Sequence, residues 1–414
     1  MNESVRSRRP VNALLIATAG VTSIFFPSSI GGEIDPILTV WQCAIVSLIF
    51  FVTLRHRRWI FPSLPIAILV LMLFLIFTVT SPLPEFTPGS LMPYLLLLTV
   101  LMIDMRTVGR SRAPLFALLL INLCLLALGF GTLFHSQFGL EISERFYKAY
   151  DDELFASMIS ASKPVTVFAS HSIAALAYFA LFLLNLRLSR FEAIGRRTRH
   201  FLLLSSCGYV LLLPALTSNT SFALFLPALA MLAWHVFRFL RPAVRMVVIC
   251  LILVAGIAIV RMVIEPATLE ALSDLVEFVW SYEGGGFLGR YAIGGRLQPT
   301  YDFLASHYFL PIGLSYSPAL ALGDNFIAEY IIKISVIGYG ALLLMLWTWL
   351  RRGVRDRRSR IGFMLFLLAA DIGYPLLPYP RAAGFMPLFA MLWMYTGAPS
   401  RPATVLYGQP AARA

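Results

Sequence analysis

RHRRWIFPSLPIAILVLMLFLIFTVTSPLPEF, residues 55–86, is the stretch on which the fold turns. An arginine cluster leads into an uncharged apolar run near 62–80, and the connection that follows carries Glu85. About 20 apolar residues span a bilayer as a helix, so the run is long enough to cross. Arginine at one end and an acid at the other is the asymmetry that orients such a helix, with its basic end in the cytoplasm.

The alternation extends in both directions. Apolar runs fall near 11–30, 36–54, 62–80, 91–105, 113–134, 164–186, 200–217, 220–237, 244–264, 325–350, 361–377 and 383–397. Arginine-rich connections occupy 55–58, 106–112, 187–199, 238–245 and 351–360. The intervening ones hold Glu33 and Asp35, Glu85, Glu141 to Glu153, Ser218 to Ser221, the segment from Glu265 to Asp324, and Tyr379 to Arg381. With the arginine loops inside, twelve helices obey the positive-inside rule at every turn, and both termini are expected in the cytoplasm. Arg6, Arg8 and Arg9 precede the first run, which ends in Phe25-Phe26-Pro27 and reads as a retained helix rather than a cleaved signal.

Composition agrees. Of 414 residues, 59% are hydrophobic and 13% charged, with mean hydropathy +0.79. A soluble domain carries roughly 25% charged residues, and disorder needs low hydrophobicity, so both classes are excluded. The formal charge of +12 would suggest nucleic acid on a soluble protein. Here the basic residues lie between apolar runs, the pattern of loops facing anionic lipid, so no nucleic-acid partner is expected. Cys43, Cys124, Cys207 and Cys250 all lie inside apolar runs and read as buried hydrophobes. The expected fold is all-α and polytopic, one membrane domain over residues 1–414 with about twelve transmembrane helices in a bacterial inner membrane.

Two outer segments are too long for simple turns. In residues 135–162, Ile142, Phe146, Tyr150, Leu154 and Met158 recur every fourth position, which predicts an amphipathic surface helix. Residues 265–324, between the ninth and tenth runs, start with helical spacing at Leu269, Leu272, Val276 and Val279. GGGFLGRYAIGGR follows at 284–296, then a short helix is expected after Pro299.

Ionisable residues at membrane depth are functional candidates. Most collect at the outer side. Lys163 and Ser170, seven residues apart in the sixth run, are expected to share a helical stripe with His171 nearby. Arg261 ends the ninth run, and Arg290 and Arg296 lie among the loop glycines. Asp324 and Asn325 open the tenth run, followed by Glu329 and Lys333, and Arg381 lies in the last outer turn. Each has a plainer role to set beside function. Glu329 and Lys333 form an i, i+4 pair in the favourable order, Asp324 suits an N-cap, Arg261 can snorkel, and His171 and Asp371 can bond neighbouring helices. Arg290 and Arg296 oppose the charge rule. Arginine's planar fork matches phosphate oxygens, and the glycines let backbone approach a ligand, so together they suit a diphosphate.

In three places the residues resemble the O-antigen ligase and polymerase superfamily. They are SKPVTVFASHSIAALAYF at 162–179, LTSNTSFALFLPALA at 216–230, and GGRLQPTYDFLASHYFLPIGLS with GDNFIAEYIIKISVIGYG from 294 to 340. The turn at Ser218-Asn219-Thr220 lacks the arginine common in the family, and Asp324 stands where the ligase branch often has histidine, which leans toward polymerase. The resemblance implies a GT-C-like helical glycosyltransferase acting on undecaprenyl-diphosphate-linked repeat units at the periplasmic face, making O-antigen or exopolysaccharide. In that scheme an acceptor hydroxyl attacks the anomeric carbon and the lipid diphosphate leaves. Arg296 and Arg290, with Lys163 and Arg261, would bind the diphosphate and stabilise its charge. Asp324 would take the hydroxyl proton, with Glu329 or His171 behind it. No metal or cofactor is required, and membrane lipid, a flippase and a chain-length regulator are the expected partners. The competing classes are a ligase moving polymer to a lipid A core or protein, and a multi-helix transporter or flippase, which the absence of two-half symmetry disfavours.

Overall fold

The computed structural model describes residues 11–55, 60, 62–105, 111–148, 159, 161–168, 170–238, 289, 292, 294–295, 297–317, 320, 327–354 and 356–395. The described chain is mostly helical. In order the helices are α1 (Val11–Phe25), α2 (Pro36–Arg55), α3 (Ser63–Thr80), α4 (Met92–Leu101), α5 (Ala113–Leu133), α6 (Gln137–Phe146), α7 (His171–Ser189), α8 (Arg196–Ala215), α9 (Asn219–Phe237), α10 (Gln298–Ser306), α11 (Ile332–Gly353), α12 (Arg357–Gly373) and α13 (Pro380–Tyr395). Every apolar run has its helix except the one near 244–264, which lies outside the described residues. Five helices are long and apolar enough to cross a membrane: α2, α3, α5, α7, and α11 counted from Glu329. The chain is therefore an all-α protein built to sit in a membrane.

Side-chain exposure supports this. α2 and α3 turn Trp41, Leu48, Phe51, Met72, Leu75 and Val79 outward, Val79 being 85% exposed. Water would penalise such a surface at about 25 cal/mol per Å² of apolar area, whereas hydrocarbon does not. Inside, one continuous core joins the helices. Close packing uses small residues where helices cross. A Cβ on Gly384 of α13 would overlap the Ser23 Oγ of α1, and one on Gly20 of α1 would lie 2.7 Å from Leu388. Ser23 Oγ donates back to the carbonyls of Pro380 (3.1 Å) and Arg381 (2.9 Å), so the first and last described helices are neighbours.

The connections sort into two ends. At one end, Ser28 N donates to Phe146 O (2.8 Å) and Tyr147 Oη to Phe25 O (2.7 Å). Thr87 N donates to Leu314 O (3.0 Å), and β3 (Glu85–Phe86) pairs antiparallel with β4 (Ser315–Tyr316). A separate hairpin of β1 (Ser29–Ile30) and β2 (Glu33–Ile34) also lies there. At the other end, Arg352 bridges to Asp104 (3.2 Å) and Arg190 Nε donates to His235 Nδ1 (2.8 Å). Arg187 stacks 4.0 Å over the Trp393 ring. Among the described residues, the arginine-bearing connections and the acid-bearing ones thus occupy opposite ends, as alternating spans require. At the arginine end, Asp356 caps α12 by accepting from Ser359 N (2.8 Å) and Arg358 N (3.4 Å). The Ser359 hydroxyl and these N–H groups hold its carboxyl below the ordinary range.

One expectation needs correction. The sixth apolar run does not begin a helix at 164. Residues 163–165 are irregular, Thr166–Phe168 form one 3₁₀ turn, and α7 begins at His171. Pro164 restricts the residue before it, and Thr166 takes φ 50, so Lys163 and Ser170 share no helical stripe. Of the amphipathic segment expected over 135–162, residues 137–146 form α6, and Tyr150, Leu154 and Met158 lie outside the described residues. The short helix after Pro299 is α10.

Candidate functional site

The tenth apolar run reads as one continuous helix, but its backbone is interrupted. Ile327–Ile331 form a wide π-turn, and Ser335 has φ 67 and ψ 174 inside α11. A break at membrane depth strands carbonyls that no water can satisfy. Here Ile312 N donates to Ile332 O (2.8 Å) and Gly313 N to Lys333 O (3.1 Å). Ser335 Oγ accepts from Ile337 N (3.2 Å), capping the helix where it resumes.

The supporting strand of chain is fixed in turn. Gly313 has φ +63, and a Cβ there would overlap Thr78 Oγ1 and Thr78 N of α3, so only glycine fits. Thr78 Oγ1 accepts from Leu314 N (2.9 Å) and donates to Phe74 O (2.6 Å). Loop, α3 and the interrupted helix therefore form one assembly.

Just before the break lies a charged cluster. Lys333 Nζ is 2.7 Å from Glu329 Oε1, and both residues are 8% exposed. The Tyr94 hydroxyl of α4 also reaches Glu329, its hydrogen shared between Oε1 (2.8 Å) and the backbone carbonyl (2.9 Å). Lys333 Nζ lies 5.7 Å from the centre of the Tyr94 ring. Phe74 packs edge-on to Tyr94 at 4.6 Å. All the side-chain bonds of the carboxylate, among the described residues, go to Oε1. The cluster continues toward α12: Tyr330 stacks on Tyr339 at 4.7 Å, and the Tyr339 hydroxyl donates to Asp371 Oδ2 (3.0 Å). Leu376 N donates to Asp371 Oδ1 (3.1 Å). The whole group sits at the loop-rich end, where α11 starts and α12 finishes.

A second feature adjoins it. An apolar cavity of about 410 Å³ lies among α7, α11, α12 and α13, and Leu376 lines it. Tyr379 and Arg381 line its loop-rich end, while Val354 and Trp393 line the other. Arg381 is 4% exposed; its Nη1 donates to Ile24 O (2.7 Å) and Phe26 O (2.6 Å). Burial holds the Tyr379 phenol in its neutral form, raising its pKa against the opposing Arg381 charge.

The residues expected to act divide accordingly. Glu329 is buried and paired as its spacing with Lys333 suggests. His171 is half-buried at the first position of α7, and Lys163 is half-buried in the irregular segment before it. Neither bonds to Glu329, whose partners among the described residues are Tyr94 and Lys333. Asp324, Arg296, Arg290 and Arg261 lie outside the described residues. Sequence reasoning missed Tyr94, because a tyrosine near the end of an apolar run resembles an interfacial anchor. The described residues contain no group of three or more His, Cys, Asp or Glu able to hold a metal ion. Comparison with protein-family models finds no match for the chain, and comparison with curated proteins finds none either.

Proposed function

We propose that the protein is a membrane glycosyltransferase that lengthens glycan carried on undecaprenyl diphosphate, polymerising repeat units into O-antigen or exopolysaccharide. The observation that carries this reading is the buried Glu329 carboxylate at an interrupted helix, held on one oxygen by Tyr94 and Lys333. Reactive carboxylates are kept in this way: oriented by fixed donors, shielded from bulk water, and placed beside irregular backbone that can admit a ligand. The resemblance noted in the sequence supplies the reaction class.

In this proposal the chain crosses a bacterial inner membrane about twelve times in a GT-C-like arrangement, with both termini cytoplasmic and the loop-rich end periplasmic. The acceptor hydroxyl forms a bond to the anomeric carbon as the bond from that carbon to the diphosphate oxygen breaks. The hydroxyl proton passes to Asp324 or Glu329, and the leaving diphosphate carries away the electron pair. Arg290 and Arg296, aided by Lys163 and Arg261, balance its charge. A flippase would supply the substrate, and a chain-length regulator would act on the product.

The test is glycan size in a deletion strain. Wild type should restore a polymer ladder, and Glu329→Gln, at equal protein level, should leave single repeat units. Long polymer remaining on its lipid carrier would instead mean a ligase. One feature favours a second reading, a transporter or flippase: discontinuous helices with ionisable residues at the break recur in transporters. No change in any surface glycan would move that reading to the front.

A further inference from the structure

The apolar cavity has a shape and a charge that nothing above uses. Arg381, Phe385, Phe389 and Trp393 line it at four-residue spacing along α13. From 381 to 393 is twelve residues, about 18 Å at 1.5 Å per residue. The cavity, about 410 Å³, follows that stretch as an apolar tube that is partly open along its side. Phe179 and Leu183 of α7 and Phe363 of α12 flank it. Such a lining offers water no partners, and apolar cavities stay dry. In a bilayer, what fills a tube of this kind is hydrocarbon.

One end carries an unbalanced charge. The Arg381 guanidinium is buried, bonded to two carbonyls and the Tyr379 hydroxyl, and stacked 5.2 Å over Tyr147. Among the described residues no carboxylate lies within ion-pair distance of it. A buried cation without an anion is costly, more so at membrane depth. The far end differs: Arg187, stacked on Trp393, has the Asp356 carboxylate to offset its charge. The missing anion therefore belongs at Arg381.

We propose that this cavity binds one hydrocarbon chain of a phosphate-headed lipid, with the phosphate on Arg381. Phosphate meets a guanidinium through charge-assisted hydrogen bonds, and the chain follows α13 toward Trp393. The proposal stands on the tube and the unbalanced cation, independently of the reaction at Glu329. Two sources share this chemistry, a polyprenyl phosphate and a bilayer phospholipid.

The experiment uses the purified full chain in detergent, titrated with hexadecyl phosphate, hexadecanol and inorganic phosphate, with stoichiometry read by native mass spectrometry. Hexadecyl phosphate should bind once per chain, about tenfold or more tighter than hexadecanol, and inorganic phosphate should not bind detectably. Ala180 lines the tube, so Ala180→Phe should abolish binding while the elution profile stays that of wild type. Arg381→Gln should reduce hexadecyl phosphate to the affinity of hexadecanol. If Arg381→Gln does not fold, Ala180→Phe decides alone. Equal binding of alcohol and phosphate, or undiminished binding by Ala180→Phe, overturns the proposal. Displacement of the probe by a polyprenyl phosphate supports it with a carrier lipid as the source. Displacement by phosphatidylglycerol supports it with a bilayer lipid, and displacement by neither overturns it.

Discussion

Two buried polar clusters hold this bundle, and they are built on opposite principles. Where α5, α7 and α8 meet, Asn122 and Asn185 exchange reciprocal amide hydrogen bonds of 2.9 and 3.0 Å, and the Tyr209 hydroxyl donates to Asn122 Oδ1 at 2.9 Å. Every group is neutral and all three helices are regular there. At the interrupted helix, Glu329, Lys333 and Tyr94 form a cluster that is charged, and its backbone must borrow donors from residues 312 and 313. The neutral cluster closes on itself and binds helices together. The charged one costs more to bury and, among the described residues, leaves one carboxylate oxygen uncommitted. Function is expected where the chain accepts that cost, and experiments can set the two clusters against each other.

The largest effect is expected at Glu329. Glu329→Ala leaves the Lys333 ammonium buried and alone, which costs about 3–5 kcal/mol of stability, and polymer output should fall to background. Glu329→Gln with Lys333→Met removes both charges together. It should recover most of the stability, read as a melting temperature in detergent, yet none of the polymer, read on a gel. Polymer returning in the double variant would make the charged cluster a structural device like the neutral one.

Next comes the support of the break. Gly313→Ala forces a Cβ into Thr78 at a positive φ, a strain on the order of 1–3 kcal/mol. A proteolysis assay should find 312–316 newly susceptible, with activity lost alongside. Unchanged protection would mean that the interrupted helix stands without its borrowed donors.

The neutral cluster should respond less. Asn122→Leu alone strands part of Asn185 and Tyr209, at about 0.6–2 kcal/mol in a membrane bundle. With Asn185→Leu added, most of that should return, because replacing both partners with apolar groups approaches neutrality. Polymer length should match wild type in both. A shortened ladder in the double variant would erase the contrast drawn here.

Much of this architecture was legible in the sequence, and the reason differs by element. Runs such as 63–80 and 113–133 announce themselves because lipid exposure demands apolar residues all round. The Glu329–Lys333 pair was legible because its spacing is local. The interruption at Ser335 was not: ISVIGYG continues an apolar helix by every local rule, and the donors that permit the break arrive from residues 312 and 313. Tyr94 was hidden for the same reason, its partner being 235 residues away. The late start of α7 had a signal, Lys163-Pro164, which the apolar pattern outweighed.

The smallest effect lies at the arginine end. Asp356 is a depressed carboxylate, so its capping contribution is complete above its ordinary pKa and is lost as pH falls through the lowered one. The melting difference between wild type and Asp356→Ala should be full at neutral pH and close below the ordinary value of 3.8. A difference that persists in strong acid would mean that the protonated Asp356 side chain still caps the helix and that its charge is not what matters.

The contact of α1 with α13 has a consequence for synthesis. Ser23 bonds to residues 357 and 358 positions later, so α1 waits in the membrane, its hydroxyl and its Gly20 notch uncovered, until α13 arrives. A ribosome that stops before Pro380 releases a bundle with an open seam. Until α13 docks, that seam on α1 stays open to lipid and to other helices. Chains cut short ahead of Pro380 should decay faster in a pulse-chase than chains trimmed after Tyr395.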